Sequence, residues 1–234
     1  MPAYPYPLML FAAGFGTRMG ALTADRPKPL IPVAGKVLID HALDVARDAG
    51  VARVVVNTHY RADQIATHLS GRDVTISHEA DRILETGGGL KAALPLLGNG
   101  PVAILNSDGI WTGANPLRTL AAAWDPSRME ALLLLLPLDR TRAHGPKGDF
   151  AVDAEGRLSR GRGGEDHVYI GAQIIAPGRV RATPEDVFSL NHSWNQMIVA
   201  GTAFGVLHPG DWCDVGHPEG IAEAEALLHS ARHG

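Results

Sequence analysis

The feature that most limits the fold of this chain is the alternation of short apolar segments with stretches of helical spacing. Apolar runs typical of buried strands lie at residues 8–12, 53–57, 74–78, 102–106 and 131–136. The spacing between them predicts helices at residues 39–49, 63–69, 88–97 and 116–123. Strands that alternate with helices predict crossover connections, and therefore a Rossmann-like α/β fold with a mainly parallel, twisted sheet flanked by helices. In such a sheet ligands bind beyond the carboxyl ends of the strands.

The pattern changes in the second half of the chain. Residues 141–164 are rich in Gly, Pro, Arg and Asp, with one short strand near 150–152. After them the pattern predicts a strand at 168–176, a helix near 193–200, a strand at 204–207 and a last helix at 218–229. We predict a single domain over residues 1–234, with an N-terminal extension at 1–7 and a small added β-rich lobe at about 137–207.

Composition argues against several kinds of partner. The chain has 21 basic and 25 acidic residues with no basic stripe, so we expect it to bind no nucleic acid. Its longest apolar run, 131–136, is too short to span a bilayer, and residues 1–7 have no positively charged start. We therefore expect a cytoplasmic protein that binds no membrane. Cys213 is the single cysteine, which excludes a disulfide framework and a cysteine-built zinc site.

A glycine-rich loop follows the first predicted strand and has the features of a phosphate site. It contains Ala12, Ala13, Gly14, Gly16, Thr17 and Arg18. Glycines allow a tight turn close to a ligand, and successive amides can hold an anion. Arg18 adds a planar set of donors that matches phosphate oxygens. Ten residues later Lys28 lies between two prolines, so its charge is presented from a stiffened backbone.

This loop differs from two common phosphate-binding motifs. The dinucleotide fingerprint needs a third glycine where Met19 stands, and a P-loop needs a following Gly-Lys-Ser/Thr. A nicotinamide-linked oxidoreductase is therefore disfavoured as an alternative function. That alternative predicts retained NAD and no need for magnesium.

Two further strand ends carry candidate residues. Glu85 and Thr86, with the three glycines after them, open a predicted helix, whose free N-terminal amides suit an anion or the edge of a base. Asp108 follows the fourth predicted strand. A carboxylate at that position is well placed to hold Mg²⁺, which prefers oxygen ligands and often bridges a carboxylate to a substrate phosphate.

Together these motifs resemble the signature of the sugar-nucleotide pyrophosphorylases, which are sugar-1-phosphate nucleotidyltransferases with a GT-A-like fold. The shared features are a Gly-x-Gly-x-Arg loop, a downstream Pro-Lys-Pro, an acidic residue after the fourth strand, and Trp-x-Asp-Val-Gly-x-Pro around Asp214. The resemblance implies that the first loop binds a nucleoside triphosphate, whose charge Arg18 and Lys28 neutralise. It also implies that the base lies near Glu85, Thr86, and Gly88. Asp108 and Asp214 would then hold one Mg²⁺, and Arg18, Lys28 and Asp108 would be the catalytic residues.

Three further motifs stand at residues 85–89 (Glu-Thr-Gly-Gly-Gly), 106–111 (Asn-Ser-Asp-Gly-Ile-Trp) and 148–150 (Gly-Asp-Phe). With these motifs the whole chain is similar to the small bacterial N-acetylmuramate-1-phosphate uridylyltransferases of cell-wall recycling. This resemblance implies transfer from UTP to N-acetylmuramate 1-phosphate, with Asn106 and Asp149 at the sugar phosphate and Gly171 near the sugar. The β-rich lobe would bind the sugar. Two departures from the group's pattern are an extra Gly109 and Ser189 in place of a lysine, and we expect both to lie toward the sugar.

The implied reaction needs little covalent help from the protein. An oxygen of the sugar phosphate attacks the α-phosphorus and pyrophosphate leaves, so positioning and charge neutralisation supply most of the rate. A mannose- or heptose-1-phosphate guanylyltransferase is an alternative with the same motifs. A catalytically silent sugar-nucleotide-sensing pseudo-enzyme is another, although such proteins usually lose a phosphate-binding cation or a metal carboxylate. The sequence leaves open the exact sugar, the base, the number of magnesium ions and the oligomeric state.

Overall fold

The computed structural model describes residues 3–161 and 166–233. Its strands are β1 (Leu8–Phe11), β2 (Pro32–Val33), β3 (Lys36–Val37), β4 (Val54–Thr58), β5 (Thr75–His78), β6 (Val102–Asn106), β7 (Gly109–Trp111), β8 (Ala131–Pro137), β9 (Thr141–Arg142), β10 (Phe150–Val152), β11 (Leu158–Arg160), β12 (His167–Ile175), β13 (Ala203–Leu207) and β14 (Trp212–Asp214). Its α-helices are α1 (Leu38–Ala49), α2 (Ala62–Leu69), α3 (Glu85–Leu97), α4 (Pro116–Ala123), α5 (Gly178–Ala182), α6 (Leu190–Val199) and α7 (Glu219–His233). Short 3₁₀ helices lie at Thr17–Thr23, Lys28–Leu30 and Leu138–Arg140.

Nine of the strands in the described residues form one mixed sheet. Its centre, in the order β6-β1-β4-β5, is parallel. Strand β12 is antiparallel to both β6 and β8, β13 is parallel to β8, and the β10–β11 hairpin adds to β12. The predicted α/β fold class is therefore confirmed, and the second half of the chain supplies its antiparallel pairs.

Helices cover both faces of the central strands, which explains their uninterrupted apolar sequence. In β1, Leu8, Met9 and Leu10 are all fully buried. Leu8 and Leu10 belong to a core shared with α1, α2 and α4, whereas Met9 faces α3 and α6. Each such side chain contributes roughly 1.5–3 kcal/mol when it is removed from water. The two cores fix the direction of β1, and with it the position of the loop that follows.

A second, three-stranded sheet in the order β7-β14-β9 connects the C-terminal part of the chain to the residues after β6. Strand β14 is antiparallel to β7, and Asp214 lies opposite Gly109. The amide of Val215 donates to the carbonyl of Asp108 over 3.0 Å. The small sheet therefore holds the two predicted metal ligands side by side.

The observed elements differ from the predicted ones mainly at their ends. Helix α3 begins at Glu85, ahead of the predicted start at residue 88, and so includes the three glycines although glycine disfavours helix. Tyr4, in the predicted N-terminal extension, is buried and bridges to Val51. Strands β8, β12 and β13 belong to the nine-stranded sheet, and the division into an extension and an inserted lobe stays a prediction. No helix in the described part of the chain is long and apolar enough to cross a membrane.

Candidate active site

A cleft of about 300 Å³ opens at the carboxyl ends of β1, β4 and β6, where parallel sheets bind ligands. Nearly all of the residues predicted to bind the nucleotide line it, namely Ala12, Ala13, Gly14, Gly16, Thr17, Arg18, Lys28, Glu85 and Thr86. Asn106 and Asp108 line the same cleft. The sequence motifs on three separate loops therefore meet in one place.

Two glycines of the first loop serve different purposes. Gly16 has a left-handed backbone (φ 66°), and a Cβ there would lie 2.9 Å from the Cβ of Lys28. The hydroxyl of Thr23 donates to the carbonyl of Gly16 over 3.1 Å and holds this turn. A Cβ on Gly14, by contrast, would meet nothing within 4 Å. Gly16 is thus needed by the backbone, while Gly14 leaves open space in the cleft.

The two predicted phosphate cations lie in different surroundings. Lys28 is buried, and its Nζ donates to Oδ2 of Asp108 over 2.7 Å. Arg18 is exposed at the cleft and has no ion-pair partner within 4 Å among the described residues. Lys28 is therefore already paired with a carboxylate, whereas the charge of Arg18 is available to an anion that enters the cleft.

Asp214 is a carboxylate in an unfavourable environment for its own charge. Burial, and next the negative charge of Asp108, raise the pKa of Asp214 above its usual value, against the smaller opposing effect of Lys28 and Arg18. Two carboxylates held together in this way favour a cation between them. No group of three His, Cys, Asp or Glu side chains suited to a metal exists in the described residues. Mg²⁺ is usually held by one or two carboxylates plus water and substrate phosphates, so the pair fits this ion.

The start of α3 differs from what we expected. The amides of Gly87 and Gly88, predicted to be free, both donate to the carbonyl of Phe188, over 2.8 and 3.0 Å. A Cβ on Gly88 would lie 2.0 Å from the carbonyl oxygen of Asp186. Gly88 does not line the cleft. The described geometry therefore gives it a packing role, because the chain around residues 186–188 covers the helix end.

Glu85 and Thr86 do face the cleft, as predicted for residues near the base. Glu85 has a left-handed backbone (φ 59°), which is an uncommon conformation for a residue other than glycine. The hydroxyl of Thr86 accepts a hydrogen bond from the amide of Leu190 over 2.9 Å. This contact connects the end of the nucleotide cleft to α6.

Asn57 and Glu79 line the cleft and were missed by the sequence analysis. Asn57 accepts from the amide of Ala12 over 2.8 Å and donates to Oε1 of Glu79 over 2.7 Å. The other oxygen of Glu79 accepts from the amide of Leu84 over 2.7 Å. Both side chains are almost fully buried. The signal was present in the sequence, because each residue stands at or just after the carboxyl end of a predicted strand.

A second pocket adjoins the first and shares Phe11, Thr86 and Asn106 with it. Asn106 and Asp149, predicted to lie at the sugar phosphate, both line this pocket. Gly171 forms an irregularity in β12 with φ 74°, where a Cβ would lie 3.0 Å from the Cβ of Asn106. Ser189, expected to lie toward the sugar, also lines this pocket. The other lining residues were not predicted from the sequence and are Phe150, Arg160, Tyr169, Gln173, Leu190, Asn191 and Trp194.

Hydrogen bonds fix the aromatic wall of the second pocket. Nε1 of Trp194 donates to Oε1 of Gln173 over 3.0 Å, and Nε2 of Gln173 donates to the hydroxyl of Tyr169 over 3.0 Å. Asp149 accepts from the amide of Tyr169 over 2.9 Å. Burial raises the pKa of the Tyr169 hydroxyl, which therefore stays protonated and keeps its own proton to donate. Gln173 was missed because it is one polar residue within an apolar strand.

The two departures from the family pattern lie in different places. Ser189 lines the second pocket, as expected. Gly109, also expected to lie toward the sugar, is buried in β7 and, like Gly171, lines neither pocket. A Cβ there would lie 2.6 Å from the ring of Trp111, so glycine is required for packing in the small sheet.

The chain matches the family model of the MobA-like NTP transferase domain over residues 8–144. It is 42% identical to an N-acetylmuramate alpha-1-phosphate uridylyltransferase of Caulobacter vibrioides, over 99% of this chain and 100% of that protein. It is 32% identical to a protein of the same name from Neisseria meningitidis, over 94% of this chain and 96% of that one.

Solved structures show the same fold at low sequence identity. HddC from Yersinia pseudotuberculosis, complexed with GMP-PN, is 21% identical with a TM-score of 0.79, covering 95% of this chain and 99% of that chain. A UDP-glucose pyrophosphorylase complexed with UDP-glucose is 17% identical with a TM-score of 0.77, covering 96% of this chain and 99% of that chain. The chain is therefore an enzyme of the MobA-like NTP transferase family, a nucleotidyltransferase of the sugar-1-phosphate type.

Proposed function

We propose that the enzyme transfers a uridylyl group from UTP to N-acetylmuramate 1-phosphate, releases pyrophosphate, depends on Mg²⁺ and serves peptidoglycan recycling in the cytoplasm. Two relatives that cover nearly the whole chain carry this uridylyltransferase name, which supports the choice of substrates. One structural observation carries the proposal. Two pockets meet at Asn106, beside the ion pair of Lys28 and Asp108.

In the proposed complex the triphosphate lies along the first loop and the sugar phosphate enters from the second pocket. Arg18, which has no carboxylate partner among the described residues, contacts phosphate oxygens, and Lys28 lies near enough to share its charge with them. Glu85 and Thr86 border the base. Holding both substrates in one orientation supplies much of the rate.

Chemistry then requires one bond to form and one to break. An oxygen of the sugar phosphate attacks the α-phosphorus of the nucleotide, and the bond from that phosphorus to the bridging oxygen of the leaving pyrophosphate breaks. No general base is needed, because a phosphate monoester is already ionised near neutral pH. Arg18 and Lys28 offset the negative charge that builds on the phosphates. Mg²⁺ held by Asp108 and Asp214 would supply Lewis-acid stabilisation of the same charge.

The test is pyrophosphate release by purified protein with Mg²⁺, across a grid of nucleoside triphosphates and sugar 1-phosphates. We expect UTP with N-acetylmuramate 1-phosphate to give the highest kcat/KM, and EDTA to abolish it. A preference for GTP with mannose or heptose 1-phosphate would replace the proposed substrates with those of a guanylyltransferase. No release from any pair, by folded protein that binds a nucleotide in calorimetry, would identify a pseudo-enzyme.

A further inference from the structure

Arg160 stands in the second pocket in a fixed orientation. It is the last residue of β11, and its Nε donates to Oδ1 of Asn195 over 2.8 Å. One terminal nitrogen donates to Oδ1 of Asn191, also over 2.8 Å. The guanidinium lies above the ring of Phe150, 4.8 Å from its centre. Two residues one helical turn apart on α6 and one aromatic ring therefore hold the group in place.

The charge of Arg160 is not neutralised by the groups that hold it. Both hydrogen-bond acceptors are neutral amides, and no carboxylate of the described residues lies within 4 Å of its nitrogens. Asp149 acts on it electrostatically at longer range, and one Asp149 oxygen already accepts from the Tyr169 amide. The Nη1 nitrogen makes no hydrogen bond to any described residue. A part-buried cation with a donor to spare suits an anionic group of a ligand.

This cation is separate from those at the phosphates. Arg18 and Lys28 line the first cleft, whereas Arg160 lines the second pocket, and none of the three lines both. The second pocket meets the first cleft at Phe11, Thr86 and Asn106, where the acceptor's phosphate has to reach the nucleotide, and Arg160 is not among these shared residues. We therefore place the anion that meets Arg160 on the body of the sugar. Most hexose 1-phosphates carry no such group. N-Acetylmuramate does, because it differs from N-acetylglucosamine by one lactyl ether that ends in a carboxylate.

We propose that Arg160 is the specificity-determining residue that selects sugar 1-phosphates carrying a carboxylate on the sugar, by a charge-assisted hydrogen bond to that carboxylate. The inference rests on the proposed function and adds the group that recognises the acceptor. It concerns binding of the sugar body, so Arg160 takes no part in the bond changes at phosphorus.

The experiment compares two acceptors that differ only in the lactyl group, N-acetylmuramate 1-phosphate and N-acetylglucosamine 1-phosphate, with UTP and Mg²⁺ held constant. We expect Arg160→Gln to lower kcat/KM for the first acceptor by about 10- to 100-fold, mostly through KM, because one hydrogen bond to a charged group is lost. For the second acceptor, kcat/KM should change by less than about twofold. Arg160→Lys should retain part of the preference, because it keeps the charge and loses the planar donor set.

Arg157→Gln is the matched control. This residue precedes β11, is exposed, and lies over the ring of Phe204 outside both pockets. The substitution removes one positive charge from the same hairpin and should leave kcat/KM for both acceptors unchanged. Thermal unfolding of each variant establishes that it is folded.

A test on the unaltered enzyme covers the case in which Arg160→Gln fails to fold. Methyl esterification of the lactyl group removes the carboxylate charge and keeps the charge of the phosphate, and we expect the ester to be used at least about 10-fold less well than the free acid. Equal use of ester and acid, or an equal loss on both acceptors in Arg160→Gln, would overturn the inference and leave the proposed function standing. If the parent enzyme used neither acceptor with UTP, the proposed function would fail and the inference with it.

Discussion

The negative charge of Asp214 lowers the stability of the free protein, although the proposed activity requires it. Asp214 is half-buried beside Asp108, and both conditions disfavour its negative charge. Lys28 is paired with Asp108, over 2.7 Å, so the second negative charge of the pair is only partly offset. The free protein therefore stores an electrostatic cost at this position. A bound cation would relieve this cost.

Asp214→Asn should separate the effect of this charge on stability from its effect on activity. We expect the free variant to melt at the same temperature or a few degrees higher, since about 1 kcal/mol corresponds to about 2–4 °C in a chain of this size. Pyrophosphate release should fall by about 100-fold or more, because the proposed Mg²⁺ site loses one of its two carboxylate charges. Calorimetric melting with and without Mg²⁺ and UTP measures both effects, and the ligands should stabilise the parent far more than the variant.

Asp211→Asn is the control for this experiment, because the half-exposed Asp211 pairs with the exposed Arg140 over 3.3 Å. It should leave the melting temperature and the activity within experimental error. An Asp214→Asn enzyme as active as the parent would remove Asp214 from the metal site.

Two glycines test the difference between packing and ligand binding. Gly88→Ala places a methyl group 2.0 Å from a backbone oxygen, and we expect a loss of about 2–3 kcal/mol, or roughly 4–12 °C in melting temperature. Gly14→Ala meets no protein atom within 4 Å and should keep the stability. Its methyl group enters the cleft, so the affinity for the nucleotide should fall about 10-fold by calorimetry. Equal melting temperatures for both variants would contradict this assignment.

At the scale of elements, Asn57 and Glu79 join the ends of three segments. Their hydrogen bonds connect the loop after β1, the end of β4 and the residues before α3. All three segments border the nucleotide cleft. This buried network sets the distance between the phosphate loop and the residues near the base, and each side-chain oxygen and nitrogen in it has a partner within the protein.

Glu79→Ala should weaken this network in a measurable way. It leaves the Asn57 amide and the Leu84 amide without their acceptor, and we expect a loss of about 2–4 kcal/mol in the free energy of unfolding. KM for the nucleoside triphosphate should rise about 10-fold while KM for the sugar phosphate changes little. Urea unfolding and steady-state kinetics check the two parts. Glu79→Gln keeps one oxygen acceptor and should fall between the parent and Glu79→Ala.

The elements that could be predicted from the sequence are those specified by local pattern. The strands that build the parallel centre have continuous apolar runs, and the phosphate loop has glycines followed by Arg18. The pattern carried no signal for the short strands β7 and β14, because each has three residues and pairs about 100 positions away. The same limit explains Gly88, whose packing partner is the backbone of Asp186. Long-range contacts, not local propensity, determine these features.

In the molecule as a whole, the reactivity of Cys213 measures how often the small sheet that carries Asp214 opens. Cys213 is fully buried in β14, its thiol donates to the carbonyl of Gly220 over 3.6 Å, and burial raises its pKa to about 12. The thiolate is the reactive form, so the folded enzyme should react with iodoacetamide at pH 8 at least about 100-fold more slowly than the unfolded chain. Because the chain has one cysteine, mass spectrometry of the labelled protein reads a single site.

Mg²⁺ with UTP should slow this labelling further, because ligands that bind the folded state suppress its opening. Sugar phosphate alone should have a smaller effect, since the second pocket does not include β14. Fast labelling of the folded enzyme, at the rate of the unfolded chain, would show that the small sheet opens freely.

The β10–β11 hairpin lies at one edge of the large sheet and carries Arg160 into the second pocket. The phosphate loop, in contrast, follows the central strand β1. The hairpin pairs with β12 through β10 and contacts β13 at its turn, and neither of its strands lies among the parallel strands at the centre of the sheet. With Arg160 as the proposed selector of the acceptor, acceptor choice and donor chemistry would be encoded in separate segments of the chain. Mutations confined to this one hairpin would then be the shortest route, in evolution or in directed evolution, to an enzyme with the same catalytic residues and a different sugar substrate.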